Sequence, residues 1–241
     1  MSGLRLGALG SLMTGLLVLG LSLPTAARDA GQKRAYTVEM LLFRNLGLDS
    51  LGGEVWSTEL RLPQTRGAVE LSPDGLPPGF KIGSANSGEL SRAARLIDRS
   101  SRYQLLRHLV WEQPGLAEDQ AIPVHIHGGR DYGIVYPGRA ELPGPTGPDL
   151  TPVPVAPVSP VPLRELDGTV TISLGRYLHV HTDLVYRQPD PESPAAADDG
   201  TPVLINAPVI QERRMRSGEL HYLDHPFLGI LVEINPVKPD D

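Results

Sequence analysis

The sequence contains no cysteine and only three lysines. Without cysteine the chain can form neither a disulfide nor a thiolate, which excludes disulfide staples and thiol catalysis. The lysines stand at positions 33, 81 and 238, and none of them completes a Ser-x-x-Lys motif. A Gly-x-Ser-x-Gly motif is also missing. The sequence therefore offers neither of these serine-nucleophile sites.

Acidic residues outnumber basic ones, 28 against 22, which gives a formal net charge of -6. Binding to nucleic acid is driven by clustered cations that contact phosphates. The net negative charge therefore argues against a nucleic-acid partner. A protein with a net negative charge can still carry a local basic site.

The first 27 residues have the pattern of a secretory signal peptide. Arg5 precedes an apolar segment at residues 6–23, and small residues follow up to Ala27, where we expect cleavage. Glycines interrupt the apolar segment, which disfavours a permanent membrane span, and no cysteine follows it that could carry a lipid. Because the segment is long for a cleaved signal, a retained N-terminal anchor is the alternative. We predict an exported protein whose mature part, residues 28–241, is one domain.

Apolar residues at strand and helix spacing predict one sheet and one main helix. Residues 87–100 carry an apolar stripe at helical spacing, with Ser87 as the predicted cap. The pattern indicates an α+β fold with a predominantly antiparallel sheet of five or six strands and long Pro/Gly-rich loop insertions. The longest strand should bend or bulge near Gly175. The predicted strands are residues 36–43, 103–112, 122–127, 168–187, 208–216 and 228–234.

Two low-complexity segments interrupt the predicted domain. Residues 143–162 contain eight prolines, which favour an extended loop because proline cannot donate a ladder hydrogen bond. A proline-rich ligand for another protein is the alternative function of this segment. Residues 189–202 are acidic and polar, and we predict a loop between two strands.

Two His-x-His pairs are the candidate metal ligands. Alternate residues of a strand project from one face about 7 Å apart, so each pair can bind one metal ion. With a following aspartate, the set resembles the zinc ligands of the LytM-type peptidoglycan endopeptidases, although its order along the chain is reversed. The alternative is that these histidines line a solvated sheet face and bind no metal. The residues are His125, His127, His179, His181 and Asp183.

Other hydrolytic sites have weaker support in the sequence. His221 and His225 have the spacing of zincin ligands, but Tyr222 stands where the general-base glutamate belongs. A pair of carboxylates for glycoside cleavage stays open, because any two of four acidic residues could converge in space. These residues are Glu39, Glu112, Asp183 and Asp224.

Residues 213–234 are the segment densest in chemistry and form the predicted ligand-binding site. Arginine binds carboxylates bidentately, and tyrosine and histidine rings pack against sugars, so the mixture fits an acidic saccharide-peptide polymer. The alternative is an exposed strand whose arginines offset Glu212 and Glu219. Residues 224–226 could also form a rigid turn before the last strand. The predicted ligand-binding residues are Arg213, Arg214, Arg216, His221, Tyr222 and His225.

Several segments together resemble the CsiV family of periplasmic peptidoglycan-binding proteins of Gram-negative bacteria. They include the motifs His-Leu-Val-Trp-Glu-Gln-Pro, Leu-His-Val-His and Leu-His-Tyr-Leu-Asp-His-Pro, and they lie at residues 36–44, 103–114, 174–186 and 213–234. The resemblance implies a non-enzymatic periplasmic protein without a cofactor that binds peptidoglycan. It also implies support of cell-wall synthesis, through a lipoprotein activator of a bifunctional penicillin-binding synthase. The alternative function is a zinc-dependent peptidoglycan hydrolase that uses the His-x-His pairs.

Overall fold

The computed structural model describes residues 34–47, 56–135, 161–191 and 203–238. The predicted signal peptide lies outside these residues, as do most of the proline-rich segment and of the acidic loop. The described residues form one α-helix, α1 (Ser91–Asp98), and ten strands. The strands are β1 (Ala35–Asn45), β2 (Val69–Glu70), β3 (Lys81–Ile82), β4 (Tyr103–Pro114), β5 (Val124–Val135), β6 (Val161–Leu174), β7 (Leu178–Pro189), β8 (Leu204–Met215), β9 (Leu220–Asp224) and β10 (Leu228–Pro236).

The strands form two five-stranded sheets. Sheet A has the order β3-β4-β1-β10-β9, and sheet B has the order β2-β5-β6-β7-β8. Neighbouring strands are antiparallel in both sheets, except that β2 pairs with β5 in parallel. The predicted α+β class with a mainly antiparallel sheet is confirmed. The strand number is higher than predicted because β2, β3 and β9 are too short for their periodicity to be read, and because one predicted strand is two strands in the structure.

The strand predicted at residues 168–187 is a hairpin of two strands. β6 ends at Leu174, residues 175–177 form the turn, and β7 returns with Leu178 opposite Leu174. Opposite residues of an antiparallel pair share a face. Leu174 and Leu178 are four positions apart, an even number, so the apolar alternation of β6 continues into β7 across the turn. The expected bend at Gly175 is therefore a full reversal. β6 also begins at Val161, so the last two residues predicted for the proline-rich loop belong to a strand.

Apolar side chains from both sheets form one hydrophobic core. Trp111 of β4 and Tyr186 of β7 are among its largest side chains, and both are less than 2% exposed. The Trp111 indole donates to Gln113 Oε1 at 2.8 Å, which satisfies the one polar atom of that ring. Phe80 is buried in this core, and Trp56 packs against it. Strand residues in the core include Val38, Met40, Leu42, Ile126, Leu166, Leu184, Ile230 and Val232.

Helix α1 packs on the opposite face of sheet A. Leu90 and Ala94 are buried against Leu41 of β1, which confirms the predicted apolar stripe. The helix is shorter than predicted, because Ser87 lies in a 3-10 turn and its hydroxyl donates to the Ser84 carbonyl instead of capping α1. The described residues contain no helix whose length and apolar character would let it cross a membrane.

Residues 56–70 form a segment, here called the strap, that crosses sheet B from β8 to β5. At one end the backbone N–H of Asn206 donates to the Ser57 carbonyl at 2.8 Å. At the other end, β2 pairs with β5, and the Val69 N–H donates to the Pro123 carbonyl at 2.8 Å. The strap borders a groove of about 430 Å³ between itself and sheet B.

Candidate functional site

The predicted ligand-binding residues of the C-terminal segment are divided between the two sheets. Arg213 and Arg214 end β8 in sheet B, whereas His221 and Tyr222 lie on β9 in sheet A. Successive residues of a strand project to opposite faces, so neither pair presents both side chains to one surface. The two strands approach each other where the Gln211 side chain donates to the Asp224 carbonyl at 2.6 Å.

Tyr222 and His225 make contacts that hold the protein together. The Tyr222 ring stacks on Phe43 with 6.4 Å between ring centres, and its hydroxyl donates to Asp224 Oδ1 at 2.6 Å. Burial and the Asp224 carboxylate raise the pKa of Tyr222 above its ordinary value. The His225 ring lies 5.6 Å from that of Trp56, and His225 Nδ1 accepts the backbone N–H of Phe227 at 3.3 Å. These contacts support the turn interpretation of residues 224–226.

Arg216 and His221 both contact Glu219. The Arg216 backbone N–H donates to Glu219 Oε2 at 2.9 Å, and His221 Nε2 lies 3.1 Å from the same oxygen. These hydrogen bonds lower the pKa of Glu219, the backbone bond most. The Arg216 side chain is 72% exposed, and its guanidinium reaches Glu219 only at 4.0 Å. The Arg216 side chain is thus more accessible to a ligand than the His221 ring.

A cluster of two exposed arginines and one half-buried tyrosine forms where the β6–β7 turn meets the end of β8. The guanidinium carbon of Arg214 lies 4.8 Å from the ring centre of Tyr177, and that of Arg176 lies 5.6 Å from it. We call Arg176, Tyr177 and Arg214 the arginine cluster. Arg176 and Tyr177 were not predicted as site residues, because residues 175–177 were assigned to the middle of a continuous strand. Only the hairpin reversal brings Tyr177 beside β8.

The two His-x-His pairs do not converge on one another. His125 and His127 lie on β5, and Glu70 of the strap joins them, so that their ligand-type atoms all lie within 4.8 Å of one another. His179, His181 and Asp183 lie on β7, and β6 separates the two strands. Within the described parts of the chain, none of these three belongs to a group of three metal-ligating side chains. Their contacts are with Glu212, 3.6 Å from His179, and with Arg61, 3.6 Å from Asp183.

His125 bridges two carboxylates in the groove beneath the strap. Its Nδ1 contacts Glu70 Oε1, and its Nε2 lies 2.7 Å from Asp167 Oδ1. Burial alone would lower the pKa of His125, but the hydrogen bonds to Asp167 and Glu70 outweigh it and raise that pKa above its ordinary value.

His127, in the same groove, is held in a different environment. Its Nδ1 lies 3.0 Å from Arg164 Nη1, and its Nε2 lies 3.7 Å from Glu70 Oε2. Burial and the positive charge of Arg164 lower the pKa of His127. The groove therefore combines two histidines whose pKa values are shifted in opposite directions.

The four carboxylates considered for glycoside cleavage each have a separate polar partner. These contacts engage the carboxylates with an imidazole, a cation or a hydroxyl and give no support to a shared catalytic role. The partners are His108 at 2.7 Å for Glu39, Lys81 at 3.2 Å for Glu112, Arg61 at 3.6 Å for Asp183 and the Tyr222 hydroxyl at 2.6 Å for Asp224.

Comparison with known proteins gives a family match that spans most of the chain. No curated protein sequence matches it. Among solved structures it is similar to the InvG secretin domain β-barrel from the Salmonella SPI-1 injectisome, at a TM-score of 0.33 and 10% identity. That alignment covers 86% of this chain and 65% of the other, and a similarity this low carries no argument. The sequence model described as "Peptidoglycan-binding protein, CsiV" matches residues 11–237. Because the match covers nearly the whole sequence, the chain belongs to the CsiV family of peptidoglycan-binding proteins.

Proposed function

We propose that this protein binds peptidoglycan through the arginine cluster, together with the exposed Arg216, and catalyses no reaction. The observation that carries the proposal is the family match over residues 11–237, because that family is described as peptidoglycan-binding. The family match does not locate the binding surface. The arginine cluster is our choice because its two arginines are exposed and its side chains are suited to an acidic saccharide-peptide polymer.

The two guanidinium groups of the arginine cluster are available to a ligand and are partly ordered by the Tyr177 ring. Among the described residues, no carboxylate lies within ion-pair distance of Arg176 or Arg214. Both guanidinium groups lie near the Tyr177 ring, and such cation–π contacts are worth about 0.5–1 kcal/mol at exposed sites. A ligand carboxylate therefore meets arginines that are already partly ordered, which reduces the entropy lost on binding.

Sedimentation with purified sacculi tests this proposal. We expect the Arg176→Ala/Arg214→Ala variant to bind sacculi at least tenfold more weakly than the native chain, since each lost charge-assisted hydrogen bond costs about 1.5–3 kcal/mol. The matched control is Arg92→Ala/Arg95→Ala, which removes the same charge from the exposed side of α1. Equal binding by the two variants would reject the arginine cluster as the site. Failure of the native protein to sediment would reject peptidoglycan binding itself.

The finer role is assistance to a lipoprotein activator of a bifunctional penicillin-binding synthase. It rests on the family resemblance, as do export by the signal peptide at residues 1–27 and a periplasmic location. In a glycan-polymerisation assay with purified synthase and activator, adding this protein should raise the rate only when the activator is present. An unchanged rate would remove this partner and leave wall binding untouched. Cell fractionation tests the location, since the protein should leave the cell with the periplasmic contents.

A zinc-dependent peptidoglycan hydrolase is the second candidate, and the meeting of Glu70 with His125 and His127 favours it. A hydrolase would produce soluble muropeptides, whereas a protein that only binds the wall would not. Sacculi incubated with the protein and Zn²⁺ should release soluble muropeptides if the chain is a hydrolase. They should release none if, as we propose, it only binds.

A further inference from the structure

We propose that Glu70, His125 and His127 form a site for one divalent transition-metal ion, with Zn²⁺ as the expected ion, that ties the strap to sheet B. This inference is independent of where, or whether, the protein binds peptidoglycan. The three side chains come from two segments, because Glu70 ends the strap and both histidines lie on β5.

The spacing of the ligand atoms suits a zinc ion after a small adjustment. They lie within 4.8 Å of one another, and the ligands of a tetrahedral zinc ion at about 2.0–2.2 Å are about 3.4 Å apart. The Glu70 side chain is 57% exposed and free to rotate by that amount. Two imidazoles and a carboxylate favour Zn²⁺ over Mg²⁺ and Ca²⁺, which prefer oxygen ligands.

A buried carboxylate orients His125 for this role. Asp167 is 6% exposed, and its Oδ1 lies 2.7 Å from His125 Nε2. A metal-binding histidine usually donates its second ring N–H to such a partner, which fixes the tautomer and strengthens the ligand. In this structure His125 Nδ1 donates to Glu70, and metal binding would release that proton and free the Nδ1 lone pair for the ion. The fourth position on zinc would open into the groove of about 430 Å³ and take water.

The contact of Arg164 with His127 disfavours metal binding, so a substitution of Arg164 tests the proposed site. A guanidinium has only donors, so the 3.0 Å contact with Arg164 Nη1 requires the His127 Nδ1 to accept and places the ring proton on Nε2. Zinc on Nε2 requires the proton on Nδ1 instead, where it would face the arginine donor. Arg164 must withdraw when the metal binds. Glutamine at this position can accept the Nδ1–H, so Arg164→Gln should tighten zinc binding.

Zinc titration of the untagged, chelator-treated protein by calorimetry tests the site. We expect saturable binding of about one ion per chain, at least tenfold weaker binding in Glu70→Gln and in His127→Ala, and tighter binding in Arg164→Gln. The control is His179→Ala/His181→Ala, which removes the other His-x-His pair and should bind zinc like the native protein. Zinc should also raise the melting temperature of the native protein and not that of Glu70→Gln.

Two results would overturn the proposal. One is the absence of saturable zinc binding to the native protein. The other is zinc binding that survives Glu70→Gln and His127→Ala but is lost in the His179→Ala/His181→Ala control. Because Glu70 is exposed, Glu70→Gln should fold normally, and its circular dichroism spectrum verifies that a loss of zinc is local.

Discussion

Arg187 of β7 donates from Nη2 to the carbonyl oxygen of Arg61 in the strap, at 2.6 Å. Its Nε donates to Asn206 Oδ1 at 3.0 Å, and its Nη1 donates to the Arg164 carbonyl at 2.9 Å. The side chain is completely buried, and Asp167 lies 4.0 Å away. A single buried cation thus joins the strap to three neighbouring strands of sheet B.

Replacing this arginine should loosen the strap and destabilise the protein. Arg187→Met keeps most of the length of the side chain but leaves three acceptors and the Asp167 carboxylate without their donor. Removing one partner of a buried charged network costs about 3–5 kcal/mol. Urea unfolding should show a loss of this size.

The control for that prediction is Arg61→Ala. Its own side chain is 44% exposed and contributes only a long contact to Asp183, whereas its backbone carbonyl, which accepts from Arg187, is retained. We expect a loss below about 1 kcal/mol. Equal losses in Arg61→Ala and Arg187→Met would show that the buried network is not what holds the strap.

Gly88 is required by the buried Glu39 beneath the start of α1. A Cβ atom at this position would overlap Glu39 Oε1, and Glu39 cannot move aside because it is 5% exposed and bound to His108 at 2.7 Å. The backbone of Gly88 is extended, so a side chain adds no backbone strain and the cost is steric. We expect Gly88→Ala to lower the free energy of unfolding by about 1–3 kcal/mol.

Hydrogen exchange and thermal unfolding check this prediction. Amides of α1 should exchange faster in Gly88→Ala, because the overlap displaces the segment that leads into the helix. Gly175→Ala is the matched control, since nothing lies within 4 Å of a Cβ there, and its stability should change by less than about 0.5 kcal/mol. Similar losses in both variants would contradict a local clash with Glu39.

The long strands and the fold class were predictable because they depend on local periodicity. Alternating apolar residues mark the strand predicted at residues 168–187, and burial alternates along the first half of β7 in the structure. The same property hid the β6–β7 hairpin, because Leu174 and Leu178 pair across it without a break in the alternation. A pattern of period two reports which residues share a face and does not report a reversal between them.

The groove could be predicted only in part because its members are distant along the chain. The sequence identified His125 and His127 from their spacing, but Glu70 lies 55 residues before His125 and carries no local signal. Arg187 and Arg61 are 126 residues apart. Arg187 falls in a strand pattern where a charged residue suggests an exposed face, whereas the strap buries it. Contacts of this kind are set by the path of the strap and not by periodicity.

Variants of Tyr222 distinguish a structural role of this residue from a role in ligand binding. Tyr222→Phe keeps the stack on Phe43 and removes only the hydroxyl that donates to Asp224. We expect unchanged sacculus binding and a loss of about 0.5–1.5 kcal/mol in the free energy of unfolding. Tyr222→Ala also removes the ring contact and should cost more stability. A loss of sacculus binding in Tyr222→Phe, with stability retained, would instead assign the hydroxyl to the ligand site.

Glu219 provides a pH-dependent contribution to folding with a defined sign. Its pKa in the folded protein lies below the ordinary value of 4.5, because the Arg216 N–H and then His221 donate to the carboxylate. A group whose folded pKa is lowered contributes its stability in full above the unfolded pKa. That contribution disappears as the pH falls through the lower, folded pKa. The Arg216–Glu219 turn should therefore weaken only in acid.

The carboxyl carbon of Glu219, followed by NMR during an acid titration, measures this directly. The native protein should titrate with a midpoint below 4.5, and His221→Ala should move the midpoint part of the way back, because the larger backbone bond from Arg216 is retained. A native midpoint at or above 4.5 would mean that neither bond persists in solution. A full return in His221→Ala would mean that the histidine, and not the turn backbone, holds the carboxylate.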